Sequence, residues 1–254
     1  MDIIGINLFI IGIFLGSFFD CIANRLSRGE SIIKPGSHCE NCKHKLSWYE
    51  LIPVFSFIFQ GGRCKKCKIK LPFEYILVEI LTGLLFSLSY IRYGITYETL
   101  KMIIISSLVI VTIISDLKYM VILDEVLIPS GILLLIIRFL NVGLHDTLFS
   151  LLYGVILFIV LLFIKVVGDK AFKRESLGWG DVKLSLVVGF SLGIELGLLY
   201  IFLSSLLALP YAIYTNVKNK DGMIPFGPFM SLSFLVIFAY KDFFMSLFNM
   251  WLGV

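Results

Sequence analysis

Charge is scarce in this chain: 16% of its 254 residues are Asp, Glu, Lys or Arg, against about 25% in an average soluble domain. The deficit is matched by a 58% hydrophobic share and a mean hydropathy of +0.95. Together they exclude a soluble globular enzyme, a disordered protein and a disulfide-stapled secreted domain. Alternation of polar and apolar residues is also missing from stretches such as Leu148 to Ile164, which excludes a transmembrane β-barrel. No basic segment precedes the first apolar run, whose leading charge is Asp2, and Gly16-Ser17-Phe18 is not a small-residue cleavage site. That run reads as a retained helix rather than a signal peptide. Histidine is limited to His38, His44 and His145, so no Ser/His/Asp or Cys/His nucleophile set is in view. No G-x-x-x-x-G-K-[ST] loop supports ATP-driven chemistry.

What is present are long apolar runs. A helix crossing the hydrocarbon core needs about 20 mainly apolar residues, and candidates fall at about 3–23, 73–91, 100–115, 125–140, 147–167, 182–195, 196–217 and 227–250. The expected fold is an all-α polytopic membrane protein of about eight transmembrane helices. Seven follow if the short sixth run and the seventh form one kinked unit. With the N-terminus outside, the inner segments 24–72, 116–124, 165–183 and 218–226 hold 10, 1, 5 and 2 lysines and arginines, 18 of the 22 in the chain. This satisfies the positive-inside rule. The net charge of +4 therefore reports topology and contact with the lipid bilayer, and needs no nucleic-acid partner.

The one sizeable polar stretch, 24–72, separates the first span (1–23) from the remaining membrane domain (73–254). It carries Cys39-Glu40-Asn41-Cys42 and, after 21 residues, Cys64-Lys65-Lys66-Cys67. Two C-x-x-C pairs at this separation match a zinc ribbon, each pair offering two thiolates from one tight turn. Gly61-Gly62 would supply the backbone freedom of the second knuckle. The cytoplasm keeps thiols reduced, which disfavours disulfides, and no βαβ pattern suggests a redox pair. Cys39, Cys42, Cys64 and Cys67 are thus expected to hold a structural Zn²⁺, with His38 and His44 as solvated neighbours and Cys21 as a packing residue in the first span. So small a module needs a metal to fold. Four thiolates also leave no open position for catalysis.

Two carboxylates stand at span ends. Asp116 closes the third span, and Asp181, after Gly178-Trp179-Gly180, opens the sixth. The topology puts both at the cytoplasmic boundary. Carboxylates held close share a proton, so one can take a proton from water while the other polarises a peptide carbonyl. Each Asp can equally be read as a helix-end cap. Asp124, Glu125 and Asp221 read as solvated turn residues, and Glu195 and Asp146 as solvated groups near outer ends. Glu74 and Glu79 open the second span and could face a polar cleft beside the cysteine module.

In order along the chain, Gly16-Ser17-Phe18 with Asn24-Arg25-Leu26, the two C-x-x-C pairs around Tyr49-Glu50-Leu51-Ile52-Pro53, Glu79-Ile80-Leu81-Thr82-Gly83, Asp116-Leu117-Lys118 and Gly178-Trp179-Gly180-Asp181-Val182-Lys183 resemble the bacterial type IV prepilin peptidases. The last of these is similar to the family's G-x-G-D signature. Asp20 stands where the family usually has Asn, and Leu123 where it usually has Pro, which touches loop geometry rather than the aspartates. The resemblance implies an inner-membrane enzyme that removes the basic leader from prepilins and pseudopilins on the cytoplasmic side. It implies Asp116 and Asp181 as the protease pair, and N-methylation of the new terminus with S-adenosylmethionine as donor. No Rossmann-type glycine fingerprint is present, so the donor's site stays open, with Glu50, Glu79 and Gly83 as candidates. Three other readings stand beside it: a G-x-G-D peptidase that only cleaves, whose archaeal relatives typically lack the cysteine module; a non-enzymatic scaffold with a zinc docking platform; and a channel or carrier using intramembrane acids, which the lack of a convincing internal repeat disfavours.

Overall fold

The computed structural model describes residues 2–218 and 224–252. The described residues are helical apart from loops, turns and two isolated bridges. They divide into two units, 1–114 and 115–254.

In the first unit, α1 (Ile3–Ser27) runs four residues past the expected end of the first span. Its buried residues are all small, Gly5, Gly12, Gly16 and Ala23, while Ile3, Ile10, Phe14 and Phe18 are exposed. A soluble helix would do the reverse; here lipid takes the large side chains and glycines take the helix partner. That partner is α3 (Glu74–Tyr93). A Cβ on Gly12 would lie 2.7 Å from Gly83 Cα, and one on Gly16 would lie 2.9 Å from Glu79 Cα. Rising positions on α1 meet falling positions on α3, so the two are antiparallel. Between them lie a 3₁₀ turn (Trp48–Leu51) and α2 (Phe55–Phe59). After α3 comes α4 (Tyr97–Tyr119), most of which lies in the first unit; its last turn, with Asp116, belongs to the second.

In the second unit, α5 (Asp124–Phe172) is traced as one helix of 49 residues. At 1.5 Å per residue a straight helix of that length would reach about 74 Å, more than twice the core of a bilayer. It is not straight. Gly143 has φ 84° and ψ −179°, outside helical space. Cβ atoms built on Gly131 and Gly154 would both lie within 4 Å of Phe190, although a straight helix would hold the two glycines about 34 Å apart. The chain folds back at Gly143, and both arms pack on α6 (Trp179–Leu192). These arms are the expected fourth and fifth spans. Gly193, at φ 84°, separates α6 from α7 (Ile194–Lys218), the break anticipated between the sixth and seventh runs. The final run is α8 (Gly227–Ala239) and α9 (Lys241–Leu252), bent by 83°.

By length and apolarity, five helices among the described residues can cross a membrane, or six when the bent pair is taken as one span. The difference from eight has identifiable causes. α5 joins two of the expected spans, whose arms meet at Gly143. The 14 residues of α6 reach only about 21 Å, and that helix is largely buried in protein rather than lipid. The molecule is a helical integral membrane protein.

Candidate active site and metal centre

The cysteine cluster is built from two near-identical knuckles, each position of the second lying 25 residues after its counterpart (39 to 64, 42 to 67). Cys39 N–H donates to His44 O at 2.9 Å and Lys43 N–H to Cys39 O at 2.8 Å. Likewise, Cys64 N–H donates to Ile69 O at 2.9 Å and Lys68 N–H to Cys64 O at 3.0 Å. The bridges His38–Lys45 and Arg63–Lys70 close the two turns. The left-handed residue inside each turn is a lysine, Lys43 at φ 54° and Lys68 at φ 58°. Gly61 and Gly62, which lead into the second knuckle, are also left-handed, at φ 59° and 64°.

The four Sγ atoms lie within 4.8 Å of one another, with Cys39–Cys67 at 3.8 Å and Cys42–Cys64 at 3.9 Å. A tetrahedron with 2.3 Å Zn–S bonds has an edge of about 3.8 Å, so the donor set has the size for that ion. The backbone N–H groups of Ile69 and His44 point at Cys67 and Cys42. At Cys67 the Ile69 N–H, aided by Asn41, lowers the thiol in the direction that favours a thiolate ligand, whereas Cys42, despite the His44 N–H, is raised by burial and by the sulfurs beside it, the pattern of thiols sharing protons at close range.

His44 is more than a solvated neighbour. Its Nε2 lies 3.4 Å from Glu50 Oε2, and that same oxygen accepts the Ser47 N–H at 2.9 Å. The Ser47 bond, ahead of His44, holds the Glu50 carboxyl below its usual range. Glu50 is buried, and its Oε1 has no hydrogen-bond partner among the described residues. Glu79 on α3 accepts the N–H of Val54 at 2.7 Å, pinning a β-branched residue at φ 62°, where such residues are strained. Gly83 is occupied by packing, since a Cβ there would lie 2.9 Å from Phe9 O.

The second unit holds a cleft of about 330 Å³ whose wall includes both Asp116 and Asp181. The structure thus brings the two expected carboxylates together. Each is buried, 7% and 6% exposed, yet each opens on this polar space. Asp116 projects from the last turn of α4, which ends before Met120 turns left-handed at φ 54°. Its Oδ2 accepts the N–H of Gly227, at the start of α8, at 2.9 Å. Asp181 is the third residue of α6, and its Oδ2 accepts the Gly178 N–H at 3.1 Å. Asp181 is therefore a helix-start residue as well as a cleft residue. Its Oδ1 is buried without a partner among the described residues, a costly state for an atom with no chemical use. The Asp116 charge lies near enough to act on Asp181.

Glycines make this approach possible. A Cβ on Gly180 would sit 2.6 Å from Ile122 Cβ, and one on Gly227 would sit 2.8 Å from Asp116 Oδ2. Asp124 differs from its expected role as a solvated turn residue: it pairs with Lys183 at 2.6 Å, tying the start of α5 to α6 across the cleft wall. Glu125, Asp146 and Glu195 are exposed as expected, and Asp221 lies outside the described residues. Gly227 was not singled out from sequence, although a Gly-Pro step opening an apolar run is a visible signal. Lys165, a lysine inside an apolar run, was another.

Comparisons with known proteins show the family. Residues 10–93 match the bacterial peptidase A24 N-terminal domain, and residues 103–213 match the type IV leader peptidase family. A prepilin leader peptidase/N-methyltransferase of Bacillus subtilis (strain 168) is 33% identical over 238 residues, 92% of this chain and 94% of that protein. One from Neisseria gonorrhoeae is 31% identical over 226 residues, 89% of this chain and 78% of its own length. One from Myxococcus xanthus is 34% identical over 182 residues, 72% of this chain and 54% of its own length. No solved structure matches the chain. The fold and these relatives define a polytopic membrane enzyme of helical type. The chain belongs to the type IV leader peptidase family.

Proposed function

We propose that this protein cleaves the leader from type IV prepilins and pseudopilins and then N-methylates the new N-terminal residue. The observation that carries the proteolytic half is the convergence of Asp116 and Asp181, buried carboxylates from two helices, on one cleft. The pair holds one proton between its members. The ionised carboxylate removes a proton from the attacking water while the protonated one hydrogen-bonds the scissile carbonyl, and the proton then passes to the leaving amine. The N–H groups of Gly227 and Gly178 orient the two carboxylates.

Cys39, Cys42, Cys64 and Cys67 hold a structural Zn²⁺, supported by their spacing of one tetrahedral edge. With the ion bound, the four thiolates would stiffen the segment 24–72 as a platform, and, with no open coordination position, the site would take no part in proteolysis. The methyl donor is S-adenosylmethionine, which supplies a transferable methyl from a sulfonium. Of Glu50, Glu79 and Gly83, Glu50 keeps a buried carboxylate oxygen without a hydrogen-bond partner among the described residues, whereas Glu79 accepts the Val54 N–H and Gly83 is taken up by packing. The distribution of lysine and arginine puts the N-terminus outside, with the cysteine module and both aspartates on the cytoplasmic face of the inner membrane. Domain boundaries follow the same division: a first span to residue 23, the cysteine module over 24–72, and the protease domain beyond.

Mass spectrometry of a prepilin co-expressed with this protein tests both halves together. Leader loss and one added methyl on the mature N-terminus are expected. A mature but unmethylated terminus would reduce the reading to cleavage alone, and an uncut prepilin would remove it.

A further inference from the structure

One lysine in the second unit has no part in the mechanism above. Lys165 lies on the second arm of α5, in an apolar run, and is 3% exposed. A buried ammonium is costly unless every proton finds an acceptor. Here Nζ donates to Leu177 O at 2.5 Å and to Glu175 Oε1 at 3.0 Å, and it lies 3.2 Å from Asp169 Oδ2, with the Trp179 ring at 5.4 Å. Three acceptors match its three N–H donors. Asp169, one turn further along α5, accepts from Ser176 N at 2.6 Å and Ser176 Oγ at 2.8 Å. Lys165 and Asp169 therefore fasten three consecutive residues, Glu175, Ser176 and Leu177, immediately before Gly178.

The carbonyl of Leu177 and the N–H of Gly178 belong to one planar peptide unit. Lys165 holds the carbonyl end, and the N–H end donates to Asp181 Oδ2. We infer that Lys165 is a positioning residue of the protease site, acting through the Leu177–Gly178 peptide to orient the Asp181 carboxylate and stabilise its charge. This rests on the reading of Asp181 as a member of the catalytic pair. A cation on the carbonyl polarises the peptide and strengthens its N–H as a donor. The loop before the G-x-G-D signature is thus the link through which a charge on α5 reaches Asp181.

The titratable groups facing Asp181 are Asp116 from α4, Lys165 from α5 and the Tyr200 hydroxyl from α7, with Glu175 and the Asp124–Lys183 pair on the cleft wall. Of these, Lys165 is the cation joined to Asp181 through a single peptide unit.

The test compares full-length wild type with Lys165→Gln, Lys165→Met and Asp181→Asn, purified in detergent, by initial rates of prepilin leader removal from pH 5 to 9. Gln retains a donor for the Leu177 carbonyl without the charge, so it carries the test should Met fail to fold. The expected result for the Gln variant is a kcat about tenfold lower, KM within about twofold, and a pH–rate profile moved upward by about half a unit or more, because a carboxylate that loses a neighbouring cation keeps its proton longer. A profile unmoved in folded Lys165→Gln, or a loss that follows only the amount of folded protein, would overturn the inference. Asp181→Asn separates the two levels. If it is inactive while the Lys165→Gln profile is unmoved, this inference alone fails. If it is fully active, the reading beneath it fails as well.

Discussion

Gly227 places its N–H 2.9 Å from the Asp116 carboxylate and leaves no room for a side chain, since a Cβ would lie 2.8 Å from the same oxygen. Gly227→Ala must therefore push the carboxylate out of position or shift α8, a conflict of about 1–3 kcal/mol. Leader cleavage should fall by about tenfold or more at unchanged helix content, measured as initial rate per folded protein. An undiminished rate would show that the carboxylate's position there is not critical. At this scale the sequence was informative about chemistry and silent about neighbours. Asp116 and Asp181 stood out because a carboxylate at a span end is rare and costly. Gly227, the partner of Asp116, carried a signal of its own in the Gly-Pro step, but a hydrogen bond across 111 residues leaves no local pattern to join the two. Asp124 was misplaced for the same reason, its partner Lys183 lying on another helix.

Among the elements, the cysteine module was the most legible, because knuckle spacing is set by the metal and not by the surrounding fold. Purified protein should contain about one Zn²⁺ per chain, and Cys64→Ser should lower that content and open the segment between α1 and α3 to limited proteolysis. If the module serves docking and methylation, methyl transfer should suffer more than cleavage in that variant, as read by the ratio of methylated to unmethylated mature pilin. A metal-free wild type with a protease-resistant segment would contradict the ribbon. The membrane helices were legible in number of runs but not in shape. The less apolar stretch between the runs at 125–140 and 147–167 contains Gly143, where α5 turns, so its two arms were separated correctly. The 83° bend between α8 and α9 was not visible, because hydropathy averaged along a run carries no direction. The glycine seam joining α1 and α3 had the spacing of a packing motif, Gly12-x-x-x-Gly16, yet its partner face could be found only from coordinates.

For the molecule as a whole, the strongest sequence signal is the bias of 18 basic residues toward one side. It predicts that, after chelation, a membrane-impermeant thiol reagent labels Cys42 and Cys67 in inverted inner-membrane vesicles and spares them in intact spheroplasts. The opposite pattern would reverse the topology. The central claim is that Asp116 and Asp181 act together as one proteolytic group. It is tested most directly by leader removal in Asp116→Asn, Asp181→Asn and the double variant, each confirmed to be membrane-inserted, zinc-loaded and able to bind prepilin. Asn nearly preserves shape and removes the proton chemistry, so each single change should lower the rate by about a thousandfold or more, and the double should be little worse than either. A role limited to capping helix ends gives a different result, reduced stability with residual cleavage in step with the folded fraction. A well-folded Asp181→Asn protein that removes the leader at the wild-type rate would contradict the account.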